Sequence, residues 1–207
     1  MGRKIASILC ICCLLSGCLR LNLKASSYYD IQNPIVTLTL ADHQKIVIEL
    51  YPKMAPNTVN NFISLIEEGY YDGLIFHRII NDYIIQSGDP LKNNYGTPGY
   101  TIKGEFKNNG FKNPLRHKKG VVSMARGPRY DSAGSQFFIT VQDAETLNGS
   151  YAAFGKVIEG LSIVEAIGSQ EQDIEKEQKE ALIIEKAMVD KKAGSYPEPM
   201  VIPMHNK

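Results

Sequence analysis

The fold and the candidate site both depend on one stretch near the middle of the chain, Phe76-His77-Arg78-Ile79-Ile80-Asn81-Asp82-Tyr83-Ile84-Ile85-Gln86. Its β-branched and aromatic composition predicts two short β-strands. The pair Asn81-Asp82 between them favours a turn, because both side chains can bond to the local backbone. The stretch is therefore predicted to be a β-hairpin.

The hairpin places one cation among apolar residues. Side chains alternate between the two faces of a strand. The predicted faces are Phe76, Arg78 and Ile80 on one side and Ile75, His77 and Ile79 on the other. Burying an unpaired charge costs a large free energy, so Arg78 needs either a carboxylate partner in the interior or a position on the wall of a hydrated cleft. The pattern alone leaves both alternatives open.

A second strand pattern follows in Gly134-Ser135-Gln136-Phe137-Phe138-Ile139-Thr140. Alternation puts Gln136 and Phe138 on one face and Phe137 and Ile139 on the other. Only one of these apolar faces is needed for the core, and the other would be exposed unless a ligand covers it. An apolar floor with a few polar groups is typical of a binding pocket.

The rest of the chain predicts a single mostly-β domain with two helices. Ile35–Leu40 and Lys45–Leu50 form a predicted hairpin, and helices are expected from Pro56 to Gly69 and from Gly160 to Ile167. Further strands are predicted at Tyr100–Ile102, Gly120–Ala125, Tyr151–Phe154 and Leu182–Val189. These patterns do not separate a barrel from a sandwich.

Several motifs, taken in order, resemble the cyclophilin-type peptidyl-prolyl cis-trans isomerases. The motifs are Phe76–Ile80, Gln86–Asp89, Gly99–Phe106, Ser123–Arg126, Gly134–Ile139 and Ala153–Gly155. The resemblance spans residues 34–190 and implies an eight-stranded antiparallel closed barrel capped by two α-helices. It also implies an enzyme that isomerises Xaa-Pro bonds, with proline-containing polypeptides as partners.

The resemblance assigns a role to each matching residue. Arg78 is the implied catalytic group, and Gln86 would orient it by a hydrogen bond. The implied substrate-binding residues are Tyr83, Ile84, Phe138 and Leu147 around the proline ring, Ala125 and Arg126 through their backbone, and Gln136 and Tyr151 beside the peptide. His77 and Phe76 would support the site from behind. The reaction transfers no proton, so His77 is expected to form a supporting hydrogen bond and not to act as an acid or base.

Two positions depart from the usual family pattern. Tyr83 stands where Phe is common, and its additional hydroxyl is expected to point to water. Thr146 stands where many members carry Trp, so the resemblance implies cyclosporin binding that is possible but weak.

The sequence predicts no cofactor and no metal site. His43, His117 and His205 lack the spacing of metal ligands. The balance of 23 Lys and Arg against 22 Asp and Glu predicts no general attraction to nucleic acid. We expect a monomer.

The sequence pattern of residues 1–17 predicts a bacterial lipoprotein signal peptide. Arg3 and Lys4 precede the apolar run Ile5–Leu15, which is too short to span a bilayer comfortably. Leu15-Ser16-Gly17-Cys18 resembles a lipobox, so Cys18 is the predicted lipidation site and residues 18–33 a tether. The alternative is a plain signal peptide with an incidental cysteine. Lipidation would anchor the protein to the membrane on its extracytoplasmic side.

The composition of two further segments predicts little packed structure. Residues 170–179 are dense in charge and are expected to be solvated. Residues 191–207 contain three prolines and little periodicity, which predicts a poorly ordered tail.

The favoured function is prolyl isomerisation in exported proteins. The alternative is a non-catalytic module or chaperone that holds proline-containing segments in the same pocket. A purely structural lipoprotein would not explain why Arg78, Gln86, Gln136 and Phe138 occur together.

Overall fold

The computed structural model describes residues 32–169 and 182–204. Ten strands and two helices occur in these ranges. The strands are β1 Ile35–Leu40, β2 Lys45–Leu50, β3 Arg78–Ile80, β4 Ile84–Ser87, β5 Tyr100–Ile102, β6 Val121–Met124, β7 Phe137–Thr140, β8 Ala153–Glu159, β9 Ile184–Asp190 and β10 Val201–Pro203. The helices are α1 Pro56–Glu67 and α2 Leu161–Gly168.

Eight strands form one antiparallel sheet in the order β3-β4-β7-β6-β8-β2-β1-β9. The predicted closed barrel overstates the closure, because the edge strands β3 and β9 do not pair directly along their length. Instead, the residues before β3 meet the residues before β9 through the isolated bridge Ile75–Ile183 and a few backbone bonds, such as Phe76 N–H to Leu182 O at 2.9 Å. The sheet is thus a curled, incompletely closed barrel.

The core is filled from the inward faces of these strands and from α1. Every second residue of β1 and β2 is buried, as a half-buried strand requires. Phe62 of α1 packs its ring 5.0–5.2 Å from the rings of Tyr71, Phe137 and Phe154. Offset and edge-on aromatic contacts of this kind stabilise a core beyond the area they bury.

Helix α1 is capped by a side chain from a distant loop. Pro56 occupies the first turn, where its missing N–H costs nothing, and no side chain of the helix caps its own start. The buried carboxylate of Glu105 accepts hydrogen bonds from the backbone N–H groups of Asn57 and Thr58, at 3.1 and 2.7 Å, and from the Thr58 hydroxyl. An acceptor at a helix N-terminus also suits the helix dipole.

The C-terminal segment differs from its expectation as a poorly ordered tail. Val201–Pro203 pairs antiparallel with β5, with Ile202 opposite Thr101. The side-chain amide of Asn57 holds the backbone of Met200 by two hydrogen bonds, of 2.7 and 3.0 Å. The short strand β5 therefore provides a tertiary partner that local sequence patterns do not reveal.

Three predictions fall on residues outside the described ranges. They are the signal peptide with its lipidation site Cys18, most of the tether, and the charged segment 170–179. Across residues 32–169 and 182–204, no helix is both long and apolar enough to cross a membrane.

Candidate active site

A cavity of about 470 Å³ opens beside β3, β4 and β7. All the residues predicted to be catalytic or to bind substrate line it: Arg78, Tyr83, Ile84, Gln86, Ala125, Arg126, Gln136, Phe138, Leu147 and Tyr151. The antiparallel register explains how they meet, because Arg78 lies opposite Gln86 and Gln86 lies opposite Phe138. Three adjacent strands thus present their outward side chains to one space.

A chain of hydrogen bonds runs across the wall of the cavity. Arg78 donates from its Nη1 to Gln86 Oε1 at 3.0 Å. Gln86 Nε2 donates to Gln136 Oε1 at 2.8 Å, and Gln136 Nε2 donates to the carbonyl oxygen of Gly96 at 3.0 Å. Each amide accepts on one side and donates on the other, so this chain fixes the orientation of both glutamines and of the guanidinium.

Arg78 is half-buried, and no carboxylate of the described residues lies within ion-pair distance of it. Of the two alternatives that the sequence left open, the structure shows the second: an arginine on the wall of an open cavity. Its charge is held by a neutral amide that engages one donor, so other donors of the guanidinium remain for a ligand in the cavity.

An apolar pocket lies next to the guanidinium. Ile84 and Phe138 are almost fully buried, and Tyr83 and Leu147 complete the walls. The ring of Phe138 is stacked on His117 at 5.9 Å between centroids, and Tyr151 meets it edge-on at 5.6 Å. The pocket floor is therefore a fixed aromatic plane.

The close approach of β4 and β7 depends on one glycine. Gly88 follows β4 with a φ of +90°, a conformation that side chains rarely adopt. A Cβ atom there would clash with the backbone of Ser135 and Gln136. Gly88 thus lets Gln86 and Gln136 lie side by side.

Comparison with known proteins agrees with this geometry. The family model described as cyclophilin type peptidyl-prolyl cis-trans isomerase/CLD matches residues 35–189. The chain belongs to the cyclophilin family. It is accordingly an isomerase of peptidyl-prolyl bonds.

Individual relatives support the assignment. The chain is 48% identical over 122 residues to peptidyl-prolyl cis-trans isomerase B of Bacillus subtilis, covering 59% of this chain and 82% of that protein. It is 44% identical over 124 residues to a peptidyl-prolyl cis-trans isomerase of Helicobacter pylori, covering 59% of this chain and 73% of that protein. A cyclophilin-type isomerase of Cryptosporidium parvum, whose crystal structure was determined in the presence of the dipeptide Ala-Pro, superposes with a TM-score of 0.64 at 30% identity. The superposition covers 75% of this chain and 98% of that one.

The two departures of this cyclophilin from the usual pattern contact each other. The hydroxyl groups of Tyr83 and Thr146 lie 2.9 Å apart, within hydrogen-bond distance. The Tyr83 hydroxyl was expected to point to water; it lies in an exposed position and also pairs with Thr146. This bond joins the turn between β3 and β4 to the short 3₁₀ helix Glu145–Leu147, which carries the Leu147 wall of the pocket.

Arg126 keeps its side chain within the protein. Its guanidinium carbon lies 4.8–5.1 Å from the ring centres of Phe106, Tyr130 and Tyr151. Its Nε donates to the carbonyl oxygen of Ser150 at 2.9 Å. With the cation held by aromatic faces, a bound peptide would meet chiefly the backbone at this position.

Ala125 was also predicted to bind through its backbone. Its N–H already donates to the carbonyl oxygen of Gln136 at 2.9 Å. A peptide contact at Ala125 would therefore have to use the carbonyl oxygen as an acceptor.

The two supporting residues do not line the cavity. Phe76 was placed on the face of Arg78, but it is buried in the core with its ring 6.4 Å from that of Phe137. The regular strand begins only at Arg78, so the alternation does not extend back to residue 76.

His77 does not make the predicted hydrogen bond. Its side chain is 1% exposed, and neither ring nitrogen has a hydrogen-bond partner among the described residues. Nε2 lies 4.0 Å from Oδ2 of the buried Asp89. Burial lowers the pKa of His77, and the Asp89 charge opposes that shift only in part.

Asp89 holds the loop that forms the far rim of the cavity. Its carboxylate accepts hydrogen bonds from the backbone N–H groups of Leu91, Asn93 and Asn94, at 2.7, 3.0 and 2.5 Å. The following residues Tyr95, Gly96 and Thr97 line the cavity.

Sequence reasoning missed two positioning residues and a further lining residue. His117 joins Ser123 to Asn148 through its two ring nitrogens, at 3.0 and 3.2 Å, behind Phe138. Asn61 of α1 is buried and donates to the carbonyl oxygen of Gly134. Met204, from the C-terminal tail, lines the cavity. All three depend on long-range contacts, and local sequence patterns carry no signal for them.

Proposed function

We propose that this cyclophilin accelerates cis-trans rotation of Xaa-Pro bonds in exported proteins at the outer face of the cytoplasmic membrane, with Arg78 as the catalytic donor. The observation that supports it is a guanidinium that has no carboxylate partner among the described residues and is fixed by Gln86 beside an apolar pocket. The pocket has the chemistry to hold a proline ring, and a ring bound there would bring its nitrogen near the guanidinium, which lines the same cavity.

Rotation about the bond before proline is slow because amide resonance must be broken, at a barrier of about 18–20 kcal/mol. In the twisted transition state the nitrogen becomes pyramidal, and its lone pair can accept a hydrogen bond. The planar ground states cannot accept this bond. A donor placed at the nitrogen therefore binds the transition state more strongly than either ground state.

Arginine suits this role because it stays protonated and its donors are held in a rigid fork. Lowering the barrier by about 7 kcal/mol would accelerate rotation on the order of 10⁵-fold. The proposed step uses only side chains of this protein and involves no covalent bond to the substrate.

Gln86 and the pocket contribute in different ways. The Gln86 amide would keep Arg78 aimed at the nitrogen, and Gln136 would contact the peptide while keeping Gln86 in place. Phe138, Ile84 and Leu147 would exclude water from the ring, so that the hydrogen bond forms in a low dielectric.

The experiment is to measure cis-to-trans conversion of a short Ala-Pro peptide by the wild-type chain and by Arg78→Ala. We expect the substitution to lower kcat/KM by roughly a hundredfold to a thousandfold, the usual cost of removing a transition-state donor. Arg116→Ala is the matched control, because Arg116 is an exposed arginine that does not line the cavity. Equal rates for the wild type and Arg78→Ala would refute the proposal.

The alternative, a module that holds proline-containing segments without turnover, shares the same pocket. It predicts peptide binding to the wild type with no conversion above the uncatalysed rate. The position of Arg78 favours catalysis, because holding an apolar ring would not require a cation fixed at the edge of the pocket.

The membrane location rests on the sequence pattern at Cys18. We expect the wild type to fractionate with membranes and Cys18→Ala to be released. Membrane association of Cys18→Ala would count against a lipid anchor at this residue.

A further inference from the structure

The C-terminal segment Met200–Met204 lies beyond the part of the chain that matches the family model, which ends at residue 189. The segment nevertheless reaches the cavity, because Met204 is one of its lining residues. The hydroxyl of Thr97, on the rim loop, donates to the Met204 sulfur at 3.4 Å. This chain therefore adds a wall to the site from outside the matched domain.

The segment is fixed in place by contacts of its backbone. β10 pairs with β5 over three residues, and Asn57 bonds both backbone groups of Met200. These contacts use the backbone of the segment and leave its side chains available. Val201, Ile202 and Met204 are 42–46% exposed, and Met200 is 77% exposed.

An exposed apolar segment next to a cavity is unusual unless something binds there. Tyr95, 81% exposed, lines the same cavity from the rim loop and continues the apolar surface. Pro203 lies on the edge strand and offers no N–H, which disfavours the addition of another strand. Side-chain contacts are the interaction that this surface supports.

We propose that the Met200–Met204 segment is part of the substrate site and binds apolar side chains that flank the proline of a client polypeptide. The occupant follows from continuity, because a chain with its proline in the Phe138 pocket must continue past the cavity rim on which Met204 and Tyr95 lie. Exposed apolar side chains are what an incompletely folded client presents. This inference rests on the proposed function for the identity of the client.

The test compares two peptides of equal length with the same central Ala-Pro, one with leucines and one with serines on both sides of it. The measured quantity is the ratio of kcat/KM for the leucine peptide to that for the serine peptide. For Met204→Ser in the full chain, the ratio should fall by roughly threefold to tenfold, as expected for losing one partly buried apolar contact.

Met188→Ser is the matched control. The two methionines are similarly exposed, Met188 on β9 at 55% and Met204 at 46%. Met188 does not line the cavity, and Met204 does. The ratio should not change for Met188→Ser. A second variant, Asn57→Ala, removes both bonds to Met200 without touching the cavity and should lower the ratio as Met204→Ser does.

An unchanged or increased ratio in Met204→Ser would overturn the inference; an increase would mean that the segment covers the site instead of extending it. The failure of the proposed function is distinguishable. If the wild type showed no turnover, the same ratio measured as peptide affinities, by fluorescence anisotropy, would still test the inference.

Discussion

The two sides of the cavity are built differently. Arg78, Gln86 and Phe138 lie on adjacent strands whose opposite faces fill the core. The other side consists of the loop that Asp89 holds and of Met204 from the C-terminal segment. The first side is held by strand pairing and packing, and the second by a few side-chain contacts.

This difference suggests that the two sides have different functions, catalysis on the strand side and client recognition on the rim. A group that stabilises a transition state must be positioned accurately, and regular strands provide that accuracy better than loops do. Recognition of varied clients tolerates more movement, and loops on a rigid scaffold commonly carry it. We therefore expect substitutions on the strand side to affect kcat and substitutions on the rim to affect KM.

The largest expected effect on stability is on the rim. Asp89→Ala would leave three backbone N–H groups without their acceptor and should lower the free energy of unfolding by about 3 kcal/mol. Under conditions where the variant stays folded, KM for a long peptide should rise by a larger factor than kcat falls, because the loop reaches Arg78 only through the Gln136 and Gln86 amides. Urea denaturation and steady-state kinetics measure both.

Asp42→Ala is the control, because Asp42 also accepts a backbone N–H in a turn, but in an exposed position. It should cost less than about 0.5 kcal/mol. A fall in kcat for Asp89→Ala as large as the rise in KM would contradict the division between the two sides.

The next largest effect is on kcat, from a substitution on the strand side. Gln86→Leu removes the amide that holds Arg78 and should lower kcat about tenfold, because the guanidinium loses its fixed orientation. KM should change little. Gln86→Glu tests the role of the unpaired charge, because a carboxylate would bind Arg78 as an ion pair and should also lower kcat. Full activity in both variants would exclude an orienting role for Gln86.

A smaller effect is expected at the contact between the Tyr83 and Thr146 hydroxyls, beside the proline pocket. Tyr83→Phe and Thr146→Val each remove the 2.9 Å contact between their hydroxyls, and each should change kcat/KM by about twofold to threefold. If the two residues act as a pair, the double variant should resemble either single variant. Additive losses would show that the hydroxyls act independently.

The smallest effect concerns acidification. Burial lowers the pKa values of both His77 and His117, so the unfolded chain binds protons more strongly than the folded one. Their contribution to stability is fully present above the unfolded pKa, near 6.5, and is lost as the pH falls through that value toward the lowered ones.

Chemical denaturation at several pH values measures this slope. We expect His77→Gln to be less sensitive to acid than the wild type over the same pH range. His43→Gln is the control, because His43 is largely exposed. Equal slopes for the wild type and His77→Gln would contradict the assignment to His77.

The strands and the cavity wall could be predicted because their signals are local. Alternation separated Gln136 and Phe138 from Phe137 and Ile139, and the structure has the first pair on the cavity and the second in the core. The same rule failed at Phe76, because the chain before β3 is held by the residues before β9 and is not a regular strand.

The remaining features depend on contacts between distant parts of the chain. The pairing of β10 with β5, the capping of α1 by Glu105 and the bond between Tyr83 and Thr146 join residues far apart in sequence. Neither composition nor periodicity carries a signal for such contacts. The histidine behind Phe138 was missed for the same reason.

The most direct test of the account separates binding from rotation. For the wild type and Arg78→Ala, NMR exchange measures the cis-trans rate of a saturating bound Ala-Pro peptide, and a titration measures its Kd. The account predicts that the bound exchange rate falls by roughly a hundredfold or more while Kd changes by less than about threefold. An unchanged rate on the enzyme, or a loss of affinity that accounts for all of the lost turnover, would contradict it.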